Sequence, residues 1–284
     1  MTSKKVKIVV LLLFAVILFS GILIYENKNI ELNSFKIYSE DLPSGFDGYR
    51  IAHISDLHNA QFGKNNNKLV SLLSEAKPDI IAITGDIVDS RRTNCDVSFE
   101  FVKRILEIAP CYYVTGNHEA RIGEEYSSFK ERMQEAGVSI LDNKTITLEH
   151  AGSTIKIIGL EDPTFSVSGT TEMEAEVVAD NLRKLTDTEK KFTLLLSHKP
   201  EFFDVYVENN IDLVLSGHTH AGQFVIPFIG GFIAPGQGFF PEYDSGLFKD
   251  GSTSMIISRG IGNSIFPLRV NNRPEIILIE LYSN

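Results

Sequence analysis

The sequence predicts an α/β protein, a four-layer sandwich of two mixed β-sheets flanked by helices and preceded by one N-terminal transmembrane helix. In the first half of the chain, apolar strand-like runs alternate with amphipathic helical segments, which is typical of a largely parallel sheet. A second group of apolar runs after residue 150 predicts a second sheet. With 284 residues, of which 43% are hydrophobic and 23% charged, the chain is long enough for a large core.

The N-terminal segment has the composition of a membrane anchor. Three lysines precede Ile8–Tyr25, eighteen residues without a charge. As a helix this run reaches roughly 27 Å, close to the hydrocarbon thickness of a bilayer. Uniform apolarity on all faces argues against a buried core helix. A cleaved signal peptide is the alternative, but no small-x-small cleavage site follows the run, so we favour an uncleaved anchor.

The same segment predicts how the chain is organised about the membrane. Because basic flanks stay on the cytoplasmic side, the chain from about residue 26 lies outside the cytoplasm. We therefore expect a single-pass protein of the cell membrane, with a basic stub and anchor at 1–27 and one extracytoplasmic domain at 28–284. Cys95 and Cys111 are the only cysteines. They are too few for a disulfide framework, and whether they pair is open.

Elements of the first half follow from apolar periodicity and from the prolines that end the helices. Between residues 66 and 76 the leucines recur at helical spacing, and Pro78 ends that segment. The predicted elements are strands at Phe35–Tyr38, Arg50–Ser55, Asp79–Thr84 and Cys111–Thr115, and helices at Asn66–Ala76 and Val97–Ile108. Ligands of such sheets collect at the carboxyl ends of the strands.

The second half has the composition of another sheet with fewer helices. Its strand-like runs are again short and apolar, and one segment between them has helical periodicity. The predicted elements are strands at Ser153–Leu160, Phe192–Ser197, Asp212–Ser216, Ser254–Ser258 and Glu275–Tyr282, and a helix at Glu172–Leu185. Two sheets covered by helices on their outer faces make four layers.

Short polar segments follow the apolar runs and contain five of the seven histidines. They are Asp56-Leu57-His58, Gly85-Asp86, Gly116-Asn117-His118, Ser197-His198 and Gly217-His218-Thr219-His220. Hard oxygen donors mixed with imidazoles are typical ligands of divalent first-row transition metals. A carboxylate can bridge two cations, and Asp86, which follows a glycine, is the candidate for that role. Two adjacent metals activate water for attack on a phosphorus ester, so the pattern predicts a metallohydrolase.

In their order and approximate spacing, these motifs resemble those of the calcineurin-like metallophosphoesterase superfamily over about residues 50–220. Ser55–His58, His218–Gln223 and Arg259–Gly262 resemble its membrane-anchored or exported bacterial branch, which includes enzymes acting on lipid-linked or nucleotide-linked phosphodiesters. The resemblance makes 28–284 a phosphoesterase domain with two divalent ions, commonly Mn, Fe or Zn. It implies one metal bound by Asp56, His58, Asp86 and His220, and a second bound by Asp86, Asn117, His198 and His218.

The resemblance also implies a mechanism. The two metals would share a hydroxide that attacks phosphorus in line. His118 is then the catalytic candidate, either as a general acid for the leaving oxygen or as a group that steadies the phosphoryl group.

Other polar residues near the motifs allow two interpretations each. Glu119 either orients a ligand or is an exposed loop carboxylate. Arg121 and Arg259 either contact a substrate phosphate or form surface ion pairs. For His53, which precedes Asp56 in a strand, we expect packing rather than contact with a ligand, and for His150 simple solvation.

Residues 221–241 form a segment of twenty-one residues without a charge. Its prolines and five glycines exclude a membrane helix. One interpretation is that it folds into the sheet edges and packs on the core. The other is an apolar loop at the mouth of the site that meets an acyl chain or the bilayer, with Phe239 and Phe240 as substrate-binding candidates.

Three functions fit these observations. The first is a membrane-anchored metal-dependent phosphoesterase, specifically a phosphodiesterase, for a lipid-linked or envelope substrate. The second is a nucleotide phosphodiesterase or nuclease, and the third a metal-bound scaffold without activity. The net charge is −10, and without the basic N-terminal segment it is about −13, which disfavours long nucleic acids as partners. The sequence does not specify an oligomeric state.

Overall fold

The structure is a computed structural model that describes residues 3–186, 190–263 and 266–284. Its helices include the predicted N-terminal one and six in the remainder of the described chain. They are α1 (Ser3–Lys28), α2 (Asn67–Ala76), α3 (Cys95–Leu106), α4 (Asn117–Arg121), α5 (Glu124–Glu135), α6 (Thr171–Leu185) and α7 (Phe203–Glu208).

The strands form two large sheets and two small hairpins. In chain order they are β1 (Glu31–Ser39), β2 (Arg50–Ile54), β3 (Ile80–Thr84), β4 (Cys111–Val114), β5 (Ser139–Ile140), β6 (Lys144–His150), β7 (Ser153–Gly159), β8 (Thr193–Leu196), β9 (Leu213–Ser216), β10 (Val225–Ile226), β11 (Gly230–Gly231), β12 (Ile233–Ala234), β13 (Gly238–Phe239), β14 (Gly246–Asp250), β15 (Thr253–Ile257) and β16 (Glu275–Ser283).

Both large sheets are six-stranded and mixed. The first has the order β1-β16-β2-β3-β4-β5, in which β2 to β5 are parallel and β16 runs antiparallel to β2. The second has the order β14-β15-β9-β8-β7-β6, with four parallel strands between two antiparallel edge strands. The predicted pair of mixed sheets is confirmed.

Alternating side chains place apolar residues on both faces of each sheet. In β2 and β3, Ile51 and Ala82 face a central cluster shared with the second sheet, whereas Ala52 and Ile83 face an outer cluster with α2, α3 and α5. A third cluster joins the second sheet to α6 and α7. The clusters therefore lie between four layers, helices outside and sheets inside, as predicted.

Helix α1 lies outside the sandwich, with its apolar side chains exposed. Its segment Lys4–Lys28 is long and apolar enough to cross a membrane. Residues 1 and 2 of the predicted stub lie outside the described residues.

Three residues singled out in the sequence have defined environments. Cys95 and Cys111 are both free thiols, so the structure does not pair them. His150 is exposed at the end of β6, as expected, but its ring also packs against Phe46 and Tyr49, at centroid distances of 5.6 and 4.9 Å.

Candidate metal centre

The polar motif residues come together where the carboxyl ends of the parallel strands of one sheet lie close to those of the other. Asp56 follows β2, Asp86 follows β3 and Asn117 follows β4, whereas His198 follows β8 and His218 follows β9. All five side chains belong to buried residues. Motifs that are far apart in the sequence thus come together in one cluster, because each follows a parallel strand of one of the two sheets.

The loops that carry these side chains are unusually tight. Asp56, Asp86 and His220 have φ values of 54°, 50° and 50°, in the left-handed region that side-chain-bearing residues rarely adopt. A Cβ at Gly217 would collide with Ser55 and Asp56, so only glycine allows this approach. Such strain is typical of functional sites, where the surrounding fold holds it in place.

Each central carboxylate has one oxygen held by the backbone. The amide of His218 donates to Asp56 Oδ2 at 3.0 Å, and the amide of His118 donates to Asp86 Oδ1 at 2.7 Å. The other oxygens, Asp56 Oδ1 and Asp86 Oδ2, face the imidazoles. Both carboxylates are therefore oriented before any ligand binds.

Asp56, His58 and His220 form the first donor group. His220 Nε2 lies 3.2 Å from Asp56 Oδ1 and 3.1 Å from His58 Nε2. Asp56 Oδ1 is buried without a hydrogen-bond partner. A buried polar atom without a partner is costly, and a cation between these three atoms would satisfy it.

Asp86, His198 and His218 form the second group. His198 Nε2 lies 3.3 Å from Asp86 Oδ2 and 3.2 Å from His218 Nδ1. Asp86 Oδ2 is also 3.7 Å from His58 Nε2 of the first group. Asp86 therefore belongs to the second group and also approaches the first, and the donor set fits two divalent cations that share this carboxylate.

The Asn117 amide lies between His218 and Arg121. With its oxygen toward Arg121 it accepts from Nη1 at 2.8 Å and from Nη2 at 3.2 Å, while its nitrogen donates to His218 Nδ1 at 3.0 Å. To bind a metal, Asn117 would use its amide oxygen, and the amide would have to be rotated by about 180° so that this oxygen faces His218 instead of Arg121. Asn117 is thus within reach of the second group and can present either atom.

Electrostatics keep the central carboxylates charged. Burial alone would raise the pKa of Asp86, but His198, His118 and His58 outweigh it and hold the pKa well below the usual range. Burial likewise opposes the charged form of His198, yet Asp86 raises its pKa to about 10. Both central carboxylates therefore stay charged at neutral pH, and a bound cation would take the place of the proton that Asp86 stabilises on His198.

His118 stands beside the donor groups and has a defined tautomer. The amide of Ser90 donates to its Nδ1 at 3.0 Å, which leaves the proton of a neutral ring on Nε2. Burial lowers the pKa of His118 to about 4. A neutral His118 thus presents an N–H donor, and its Nε2 lies 3.9 Å from Asp86 Oδ2.

A cavity of about 260 Å³ opens onto the donor groups. His118, His218 and Asn117 line it, together with the cationic side chains of Arg91 and Arg121. Two arginines beside a cation site are suited to an anion such as a phosphoryl group.

A family model for calcineurin-like phosphoesterases matches residues 49–222. The chain belongs to this family. The uncharacterized metallophosphoesterase YkuE of Bacillus subtilis (strain 168) is 34% identical over 270 residues, 91% of this chain and 87% of the relative. The phosphodiesterase YaeI of Escherichia coli (strain K12) is 27% identical over 238 residues, 82% of each chain.

A solved structure supports the same fold. The crystal structure of TT1561 from Thermus thermophilus has a TM-score of 0.52 and 15% sequence identity, and the match covers 75% of this chain and 90% of that one. As a calcineurin-like phosphoesterase, the chain is a metal-dependent hydrolase of phosphate esters.

In this calcineurin-like phosphoesterase, groups behind the histidines fix which ring nitrogen faces the cluster. His198 Nδ1 donates to the Thr84 carbonyl at 2.7 Å, which leaves Nε2 for a metal. In His218 it is Nδ1 that faces the cluster, 3.2 Å from His198 Nε2, while Nε2 points toward Glu201 Oε1 at 3.8 Å. His53, expected to pack, is buried and bonds Thr84 Oγ1 at 2.8 Å.

Glu119 is buried rather than exposed. Its carboxylate accepts from the amides of Asp86 and Gly116 at 2.8 Å each, and from the amide of Val88 at 3.1 Å. Burial raises its pKa to about 7. Of the two interpretations, the structure supports the orienting one, since Glu119 connects the loops of Asp86 and Asn117.

The predicted substrate-binding residues are not among those that line the cavity at the donor groups. Arg259 pairs with Glu31 at 2.6 Å and with Glu275 at 2.9 Å, and with both it lines a different cavity, of about 330 Å³. The alternative of an ion pair therefore describes Arg259. Phe239 and Phe240 are largely exposed, on and just after β13.

Four residues of the site were not identified from the sequence. Asp89 is buried, 3.5 Å from His118 Nδ1, and its position three residues after Asp86 could have indicated it. Arg91 lines the cavity next to it. Glu201 and Arg269 had no local signal, and the buried Arg269 guanidinium lies 3.1 Å from His220 Nδ1.

Proposed function

We propose that this phosphoesterase is a membrane-anchored phosphodiesterase that acts outside the cytoplasm on a lipid-linked or envelope phosphodiester. The observation that carries the proposal is the pair of adjacent donor groups, linked where Asp86 Oδ2 of the second lies 3.7 Å from His58 Nε2 of the first, which open onto a cavity lined by two arginines. The anchor is inferred from the exposed apolar α1, with residues 1–27 inside or across the membrane and residues 28–284 forming the hydrolase domain.

The proposed metal ligands are those within reach of the two groups. Asp56, His58, Asp86 and His220 would hold one divalent ion, and Asp86 would share the other with Asn117, His198 and His218. When bound, two such ions, which we propose to be Mn, Fe or Zn, lower the pKa of water and neutralise charge on a phosphoryl group.

The chain's own residues then orient the ester. Arg91 and Arg121 line the cavity and are placed to bind phosphoryl oxygens. His118 presents Nε2–H on the same side, where it can donate to a phosphoryl oxygen or to the leaving oxygen. Glu119 holds the backbone of Asp86 and Gly116, so that the two loops keep their spacing.

The preference for a diester is supported by the name of the Escherichia coli relative, a phosphodiesterase. A lipid or envelope substrate is supported by the anchor and by the net charge of −10, which disfavours long polyanions.

A substrate panel tests the proposal. The full-length chain in detergent is stripped with a chelator, reloaded with Mn, Fe or Zn, and assayed with p-nitrophenyl phosphate, its bis-ester, cyclic nucleotides and phospholipids. We expect hydrolysis only with metal, with the bis-ester and a phospholipid preferred to the monoester. A preference for the monoester contradicts the diesterase proposal, and a preference for cyclic nucleotides favours the nucleotide phosphodiesterase.

A further inference from the structure

An exposed apolar surface lies beside the candidate metal centre. Outside α1, twelve large apolar side chains of the described residues are exposed, and eight of them lie at 228–240, in or next to the two hairpins, or at 266–268. We call the six most exposed the apolar rim: Phe228, Ile229, Phe239, Phe240, Phe266 and Leu268. Their exposure ranges from 44% to complete. An apolar surface of this kind on a soluble domain marks an interaction site.

The parts of the rim are bound to one another. Phe232 packs its ring against Phe239 and Phe240, at centroid distances of 5.3 and 5.7 Å. Phe224 packs against Phe266 at 5.6 Å, and the Gln223 amide bonds the backbone of Phe266 in both directions. The hairpins and the turn therefore form one surface.

This surface continues into the attachment of α1. The Asn27 side chain accepts from the amide of Arg269 at 2.8 Å and donates to its carbonyl at 2.9 Å. Glu26 accepts from the amide of Asn271 at 2.9 Å. We call these contacts the clamp. Because the uncharged run of α1 ends at Tyr25, the clamp lies where the helix would leave the bilayer.

The rim also borders the mouth of the metal centre. Pro235, between β12 and β13, lines the same cavity as His118 and His218. Residues 221–241 carry no charge, so the hairpins bring no charged side chain that would have to be desolvated at a lipid surface. Phenylalanine and leucine are typical of the apolar faces with which peripheral segments bind a membrane interface.

We propose that the apolar rim docks on the same bilayer that α1 spans, so that the cavity opens at the level of the lipid head groups. This inference rests on the proposed anchor. It deepens the proposed function by naming how a lipid phosphodiester would reach the cavity: the head group enters beside Pro235 while its acyl chains stay in the membrane.

The chain contains no tryptophan, so a single introduced tryptophan reports on one position. Three variants of the full-length chain are reconstituted in vesicles of phosphatidylcholine and phosphatidylglycerol with brominated acyl chains: Phe228→Trp on the rim, Phe14→Trp in α1, and Tyr38→Trp near the end of β1. Tyr38 is 53% exposed and seven residues beyond Glu31, about 23 Å along the strand.

We expect bromine to quench Phe14→Trp strongly and Phe228→Trp at least twofold, with a blue-shifted emission, and to leave Tyr38→Trp unchanged. If Phe14→Trp is quenched but Phe228→Trp behaves like Tyr38→Trp, the rim does not dock and this inference is wrong, while the anchor stands. If Phe14→Trp is not quenched either, the anchor itself fails, and the inference fails with it. None of these outcomes depends on the substrate.

Discussion

The metal centre and the apolar rim share a boundary at Pro235, yet they are built in opposite ways. In the centre, side chains are buried, loops are strained, and one oxygen of each central carboxylate accepts a hydrogen bond from a backbone amide. In the rim, side chains such as Phe228 are exposed and short hairpins replace the sheets. Rigid burial serves chemistry that needs fixed donors, whereas an exposed apolar surface is suited to a fluid partner. Substitutions in the centre should therefore have large effects on metal content and kcat, whereas substitutions in the rim should have smaller effects, confined to lipid substrates.

The largest effect is expected at Asp86. Asp86 Oδ2 faces histidines of both donor groups, His198 at 3.3 Å and His58 at 3.7 Å. Asp86→Asn should therefore reduce the metal content and lower kcat for the bis-ester by on the order of a thousandfold. Metal analysis together with steady-state kinetics measures both. Asp180→Asn, on the exposed face of α6, is the control and should match the parent. Full metal content in Asp86→Asn would show that Asp86 is not shared by two ions.

His118 should separate chemistry from metal binding. If His118 only donates a hydrogen bond from Nε2, His118→Ala should lower kcat by about a hundredfold or more and leave metal content unchanged. Metal analysis and steady-state kinetics test this, and His150→Ala, at an exposed histidine, is the control. Loss of one metal in His118→Ala would instead make His118 a ligand, since it also lies close to His58 and Asp86.

The centre was largely predictable because each of its motifs is local. A buried strand, a glycine and a polar residue follow one another in the sequence, as at Thr84, Gly85 and Asp86, and parallel strands bring such ends together. The strands themselves were predictable for the same reason, since Arg50–Ser55 and Asp79–Thr84 are apolar runs with clear ends.

Residues that act across long sequence separations were not predictable. Glu201 lies near His218 because β8 and β9 are neighbours, and nothing in its own segment indicates that contact. For Arg259 the sequence allowed a substrate contact or an ion pair, and only the pairing of β1 with β16 shows that Glu31 and Glu275 lie beside it. Helix α5 was missed although Tyr126, Phe129 and Met133 form a buried helical face.

The sequence of residues 221–241 could not predict the rim, for a different reason. An uncharged segment with many prolines and glycines is compatible with the core or with the surface, and only the fold distinguishes them. The structure places residues 221–241 in two short hairpins outside the large sheets. The expected packing into the sheet edges therefore does not describe the hairpins, although Ala221 and Ala234 within the segment are buried.

A smaller effect is expected at Glu201, whose Oε1 lies 3.8 Å from His218 Nε2, on the side of the ring that faces away from His198. Its side chain is 6% exposed, and Oε2 is buried without a partner. Glu201→Gln should weaken the orientation of His218 and raise the dissociation constant of the second metal by about ten- to a hundredfold, measured by competition with a chelator. Glu208→Gln, exposed on α7, is the control. Unchanged affinity together with a loss of thermal stability would assign Glu201 to packing.

The smallest and most selective effect is expected in the rim. Phe239 and Phe240 are 64% and 58% exposed, so the double substitution Phe239→Ser/Phe240→Ser should leave the fold and the bis-ester activity unchanged. Losing about 1.5 kcal/mol or more of apolar contact should cost roughly tenfold in kcat/KM for a phospholipid in vesicles. Met173→Ser removes a similarly exposed side chain from α6 and should affect neither substrate. An equal loss on both substrates would mean that the two phenylalanines support the centre rather than the membrane, and the contrast between the two regions would no longer hold.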